Sequence, residues 1–253
     1  MRSDISQFQT PFHVAYPRPS RLSNPYQEYS SDITRAIVAK ADVQLVWSDF
    51  QVILGPYFPA GTYEESAYFL PLAFNYIVGH DGDALDLVTS IIWFVSEFAD
   101  RLQADGLLPG SRGRVSDCFQ MWTSRFDVVH LDTAACRAKG WRSTYFDHVK
   151  NVEVVCEGTY DLVRFKRHAD LAEDFFHSLA SHGSDPVKAA WFLEMSRSCT
   201  DVYHPPEHAA IRKLLGDATL IRSAASVVQS SLVASELSPT YWKDTFAAVG
   251  AGA

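Results

Sequence analysis

The segment from Leu87 to Leu102 limits the fold more than any other. Leu87, Val88, Ile91, Ile92, Phe94, Val95, Phe98 and Leu102 recur at helical spacing. Around Ile91–Val95 they cover well over half of a helical circumference. A helix that apolar has to be enclosed on several sides, so it is expected at the centre of the fold. Asp83 is expected to cap its N-terminus, with Asp86 in the first turn, where the helix dipole favours a negative charge. Upstream, Thr62 and Glu65 have the spacing of a capping box, in which each side chain accepts from the other's backbone N–H. Tyr68, Phe69, Leu72, Ala73, Tyr76 and Ile77 follow as one apolar face. Pro71 falls inside that helix and is expected to kink or split it. Gly79–Gly82 reads as the turn between the two. Residues 54–108 are therefore expected to form an apolar helical hairpin.

The same stretch carries nearly all of the net charge. Glu64, Glu65, Asp81, Asp83, Asp86, Glu97, Asp100 and Asp105 stand against one base, Arg101, a net −7 out of −8 for the whole chain. An acidic protein of this kind is not drawn to nucleic acid or anionic membranes by bulk electrostatics. A basic protein surface is the natural complement. Glu64, Glu65, Asp81, Asp83, Asp86, Glu97 and Asp100 are accordingly the candidate partner-binding residues. Helix capping is a rival role for Asp83 and Asp86, because a cap needs no partner.

The remaining pattern points to an all-α fold: one irregular multi-helix domain, residues 28–249, with about eight to ten helices. With 253 residues, 47% of them hydrophobic and 13% aromatic, the chain can build a sizeable core without staples. Residues 1–27 carry Pro11, Pro17, Pro19 and Pro25 and are expected to form an irregular arm, with Phe8, Phe12, Tyr16 and Tyr26 lying against the body. A helix is expected from Ser31, continuing through Val43, Val46 and Trp47 towards Leu54. Gly106–Arg114 reads as the clearest loop, and Ser116 as the N-cap of the helix after it. Residues 144–157 mix strand and helix signals and lean helical. Residues 159–182 form a long helix closed by Gly183, and Asp185-Pro186 opens the next. Helices over 207–215, 217–233 and 239–249 follow, with residues 250–253 frayed. No repeat of fixed period is present.

Candidate chemistry is sparse. The acidic turn His80–Asp86 lacks calcium-loop spacing. His168, Glu173, Asp174 and His177 lie on one expected helix, an approximate Glu-x-x-His arrangement without the second copy that a di-iron bundle needs. His130, Asp132, Asp147 and His148 form the alternative catalytic set, suited to a His/Asp-based or metal-assisted hydrolase. An equally simple role for them is a His–Asp hydrogen bond fixing a helix junction. The motifs GxSxG, GxxxxGK[ST], GxGxxG and HExxH do not occur. Cys118, Cys136, Cys156 and Cys199 are too far apart for a zinc ribbon and read as reduced, mostly buried thiols.

These features lead to three expectations. The first is a cytoplasmic protein without cofactor or resident metal that binds a basic protein partner, with no nucleic-acid binding and no membrane insertion. In charge and helical class the chain resembles bacterial immunity proteins and antitoxins, which implies an acidic surface laid over a basic active site. The second is the hydrolase built on His130, Asp132 and His148. The third is a helical protein that binds an apolar small molecule between aromatic helices.

Overall fold

The computed structural model describes residues 2–55, 59–79, 85–125, 169–201, 208–234, 242 and 245–247. For 2–7, 85, 86, 121–125, 198–201, 233 and 234 it describes the backbone alone. Among these residues the chain is all-helical, with twelve α-helices and no strand. It divides into two compact units, 1–118 and 119–253.

The first unit holds α1 (Arg2–Ala15), α2 (Ser31–Ala39), α3 (Trp47–Leu54), α4 (Tyr63–Ala67), α5 (Leu70–Gly79), α6 (Leu85–Glu97), α7 (Ala99–Ala104) and most of α8 (Leu108–Arg125). Helix α6 packs against both α3 and α5, and Leu87, Val88, Ile91, Ile92, Phe94 and Val95 are all out of water. Each such side chain contributes about 1.5–3 kcal/mol of transfer free energy, so α6 anchors this unit. Its two buried serines are accounted for differently. Ser90 Oγ donates to Gln51 Oε1 on α3 at 2.8 Å, whereas Ser96 is packed without a hydrogen-bond partner among the described residues.

Pro71 splits the preceding helix into α4 and α5. Tyr68 and Phe69 form the break, and Pro71 falls in the first turn of α5, where no intrahelical N–H is required. The capping box forms as expected. Glu65 N donates to Thr62 Oγ1 at 3.4 Å, and Thr62 N to Glu65 Oε2 at 3.0 Å.

Three local expectations fail, the first against a tertiary contact and the other two against local backbone hydrogen bonding. Residues 2–15 are not an irregular arm but helix α1, with Pro11 inside it. The missing Pro11 N–H costs a backbone bond. Against that loss, Phe12 is fully buried and the Phe8 ring meets Phe74 of α5 edge-on at 5.5 Å. The helix from Ser31 does not run on to Leu54. It stops at Ala39, and a single 3-10 turn, Asp42–Gln44, precedes α3. Val43 and Val46 face solvent, so their helical spacing was not a core face. Asp49 Oδ2 accepts from Val46 N at 2.9 Å and starts α3 there.

Residues 106–114 are likewise not a loop. Gly106 alone turns the chain, at φ +72°, a conformation glycine adopts without steric cost. Leu107 N donates to Leu102 O at 2.8 Å and Gly106 N to Gln103 O at 3.1 Å, the Schellman pattern that closes α7. Helix α8 begins at once, with Pro109 in its first turn, and Ser116 lies within it rather than capping it.

The second unit contains α9 (Ala169–Ala180), α10 (Pro186–Asp201), α11 (Ala209–Leu215) and α12 (Ala218–Ala234). Its central helix is α10, which packs against the other three. All eight residues from Ala189 to Ser196 are buried. The fully buried Glu194 is paired with Arg197 at 2.9 Å. Asp185 Oδ1 caps α10 through Val187 N and Lys188 N, and Asp217 Oδ1 caps α12 through Thr219 N and Leu220 N. Helix α9 ends at Ala180, short of the expected 182, and Gly183, at φ +57°, lies in the following turn, where Asp185 N donates to His182 O at 2.9 Å. Residues 144–157 and the start of the helix expected from 159 lie outside the described residues.

Candidate functional site

The acidic face is built on α4, α6 and α7. Phe98 separates α6 from α7, yet Phe98 N still donates to Phe94 O at 3.0 Å and Leu102 N to Phe98 O at 2.9 Å. The helical path therefore persists through the junction. Glu97, Arg101 and Asp105 fall four residues apart along it, on neighbouring turns of one side. Glu97 and Asp100 are both exposed.

Aromatic rings form the floor of this face. Tyr63 is buried at the start of α4, stacked parallel to Phe94 at 5.9 Å and tilted against Phe98 at 5.1 Å. The Arg101 guanidinium lies over the Tyr63 ring, 4.6 Å from its centroid, and pairs with Glu64. Both members of that pair are more than half exposed, so it contributes little to stability. Glu64 is held below the usual carboxylate range, first by its backbone hydrogen bond and further by Arg101 and Thr62. Asp105 Oδ2 accepts from the hydroxyls of both Tyr16 and Tyr63, the latter at 3.0 Å. Burial, reinforced by these hydrogen bonds, pushes Tyr63 far above the ordinary tyrosine range, and burial raises Tyr16 in the same direction. Both phenols therefore stay protonated donors at neutral pH.

The acidic residues singled out in the sequence separate into distinct roles. Glu65 is half-buried and its carboxylate is engaged within the chain. Besides its capping bond, it accepts from Ser23 N at 2.8 Å and from Ser23 Oγ at 2.5 Å, tying the chain before α2 to α4. Glu64 is bridged to Arg101, while Glu97 and Asp100 present their carboxylates at the surface. Asp81 and Asp83 lie outside the described residues. Asp86 belongs to the first turn of α6, but its side chain is outside them. His130, Asp132, Asp147 and His148 lie outside as well.

No known protein family, characterised protein or solved structure matches this chain. The site must be read from its own chemistry. Among the described residues no group of three or more His, Cys, Asp or Glu side chains converges as a metal site. On α9, Glu173 Oε1 lies 3.1 Å from His208 Nδ1, while Asp174 and His177, the pair at i and i+3, are both exposed. His168 is outside the described residues. No described helix is long and apolar enough to cross a membrane.

Two clusters were not legible in the sequence. In the first, Asp42 pairs with Arg18 and accepts from the Tyr68 hydroxyl at 2.7 Å, and His13 stacks on the Tyr68 ring at 4.2 Å. Burial lowers the His13 pKa. In the second, Lys40 Nζ donates to both oxygens of the buried Asp49, at 2.7 and 2.8 Å. The members of the Asp42 cluster are up to 55 positions apart, from His13 to Tyr68, with no motif linking them. Lys40 and Asp49 were separated only by the expectation of a continuous helix between them.

Proposed function

We propose that the protein binds a basic protein partner through the face formed by Glu64, Glu97, Asp100 and Asp105. The observation that carries this reading is the exposure of Glu97 and Asp100 on the side where Arg101 is the only base between residues 54 and 108. Complementary charge of this kind steers encounter and sets specificity. Neutralisation of a toxin-like partner, as by an immunity protein, is the finer form of the same reading. It requires the acidic face to cover the partner's basic active site.

The test is binding of a fluorescent arginine-rich peptide to the full chain, followed by anisotropy over a salt series. Reversing Glu97→Lys and Asp100→Lys together should weaken binding by about tenfold or more at low salt. Reversing Asp170→Lys and Asp174→Lys on the exposed side of α9 makes the same change in net charge and should weaken it much less. Equal losses for the two pairs would mean that bulk charge alone attracts the peptide, and the proposed face would have to be abandoned.

A further inference from the structure

We propose that His13 is an acid-sensitive latch: protonating its imidazole loosens the C-terminal turn of α1 and withdraws Tyr16 from Asp105. The latch lies within the first unit and holds whether or not the acidic face binds a partner.

The contacts around the ring suit its neutral form. His13 sits in the last turn of α1 and lies flat on the buried Tyr68 ring, with centroids 4.2 Å apart and planes 13° from parallel. Asn75 Nδ2 of α5 donates to Gln9 Oε1 at 3.4 Å, which turns the Gln9 amide nitrogen towards His13. Gln9 Nε2 in turn donates to His13 Nδ1 at 3.4 Å. That ring nitrogen accepts only while it carries no proton. The other, Nε2, is shut off from water and has no hydrogen-bond partner. A second proton would therefore set two donors face to face at Nδ1 and place a charge where water does not reach.

The neighbouring charges do not offset that cost. Arg18 is the cation beside the ring, and its guanidinium already lies 5.7 Å from the Tyr68 centroid. Asp42 is taken up by Arg18 and by the Tyr68 hydroxyl at 2.7 Å. Helix α5 carries no charged residue, Glu64 and Glu65 of α4 are committed to Arg101 and Ser23, and Arg114 of α8 reaches α1 over Phe8. Burial holds His13 below its ordinary range, and Arg18 adds to this, although the Tyr68 backbone favours the charged ring. The closed turn is thus favoured above about pH 6.5, and that advantage is lost as pH falls further.

Tyr16 couples the ring to Asp105. Tyr16 N donates to Phe12 O at 2.7 Å, so Tyr16 continues the helical path three residues beyond His13. Its ring meets Tyr63 edge-on at 5.4 Å, and its hydroxyl donates to Asp105 Oδ2. When the turn leaves Tyr68, Tyr16 moves with it, and Asp105 keeps Tyr63 as its phenol donor.

The experiment follows native-state hydrogen exchange of the amides from His13 to Tyr16 in the full chain between about pH 7.5 and pH 5, together with NMR titration of the His13 ring. Protection should fall below about pH 6.5, by up to about tenfold per pH unit, and level off where the ring itself titrates. His13→Phe keeps a ring to stack on Tyr68 and should make protection flat over this range. Tyr16→Phe should lower protection about fivefold at every pH and leave the slope unchanged. Flat protection in the wild type, the same fall in His13→Phe, or a His13 ring titrating at or above the ordinary histidine range would each overturn the latch. Unchanged protection in Tyr16→Phe would overturn its link to Asp105.

Discussion

Removing Lys40 should damage the first unit more than removing its partner Asp49. The Asp49 side chain is 8% exposed, that of Lys40 35%, and Lys40 Nζ donates to both carboxylate oxygens. In Lys40→Met the carboxylate stays buried with only the Val46 N–H at 2.9 Å to stabilise it. Breaking a buried pair in this way costs about 3–5 kcal/mol. The lower end, about 3 kcal/mol, is expected because a third of the lysine already reaches water. In Asp49→Ala the freed ammonium can turn outward into solvent. The loss there is mainly the cap at the start of α3, about 1 kcal/mol, plus part of one charged hydrogen bond, for a total of about 1.5–2 kcal/mol. The double variant Lys40→Met/Asp49→Leu should resemble Asp49→Ala rather than the sum of the singles. Native-state hydrogen exchange of the α2 and α3 amides reads these energies locally, which matters in a chain of two compact units. Equal costs for the two single variants, or a larger cost for Asp49→Ala, would refute the asymmetry argument.

Two further outcomes follow from the same geometry. Tyr63 holds its proton more tightly folded than unfolded, so its contribution is fully present below about pH 10 and is lost as pH rises beyond it, by up to about 1.4 kcal/mol per pH unit. Tyr63→Phe should flatten that alkaline loss in urea melts, at a cost near neutral pH of about 1 kcal/mol for the hydroxyl bond to Asp105; an unchanged alkaline limb would show that Tyr63 is not the group concerned. Pro11→Ala restores an α1 backbone donor, and the gain should exceed the entropy returned to the unfolded chain, leaving α1 amides better protected by about 1–2 kcal/mol; weaker protection would mean that the proline ring packs better than its missing bond suggests.

What could be read from the sequence depended on how local the cause was. Thr62 and Glu65 are three positions apart and capped as expected, as Asp185 did for α10. The break before Pro71 and the burial of α6 also follow from adjacent residues. Errors arose where a distant contact decided the outcome, or where a residue type suggested a break that the backbone did not make. Pro11 argued against α1 until Phe8 met Phe74, and the glycines of 106–113 argued for a loop, although only Gly106 needs a left-handed turn. The acidic face was legible as a charge count but not as a surface. Sequence alone could not show that Glu65 is occupied by Ser23, or that Asp105 holds two tyrosines.

Helix α10 has a consequence for how this chain can change over time. A half-wetted helix can vary on its solvent side while its core side is kept. From Ala189 to Ser196 no residue of α10 faces water, so no register of this span is free to drift. The small residues Ala189 and Ala190 are as constrained as Trp191, because a larger side chain there would overpack the neighbouring helices. Divergent forms of this protein should therefore keep this octapeptide almost letter for letter while the exposed side of α9 changes around it, and the octapeptide is the sensible probe for finding them.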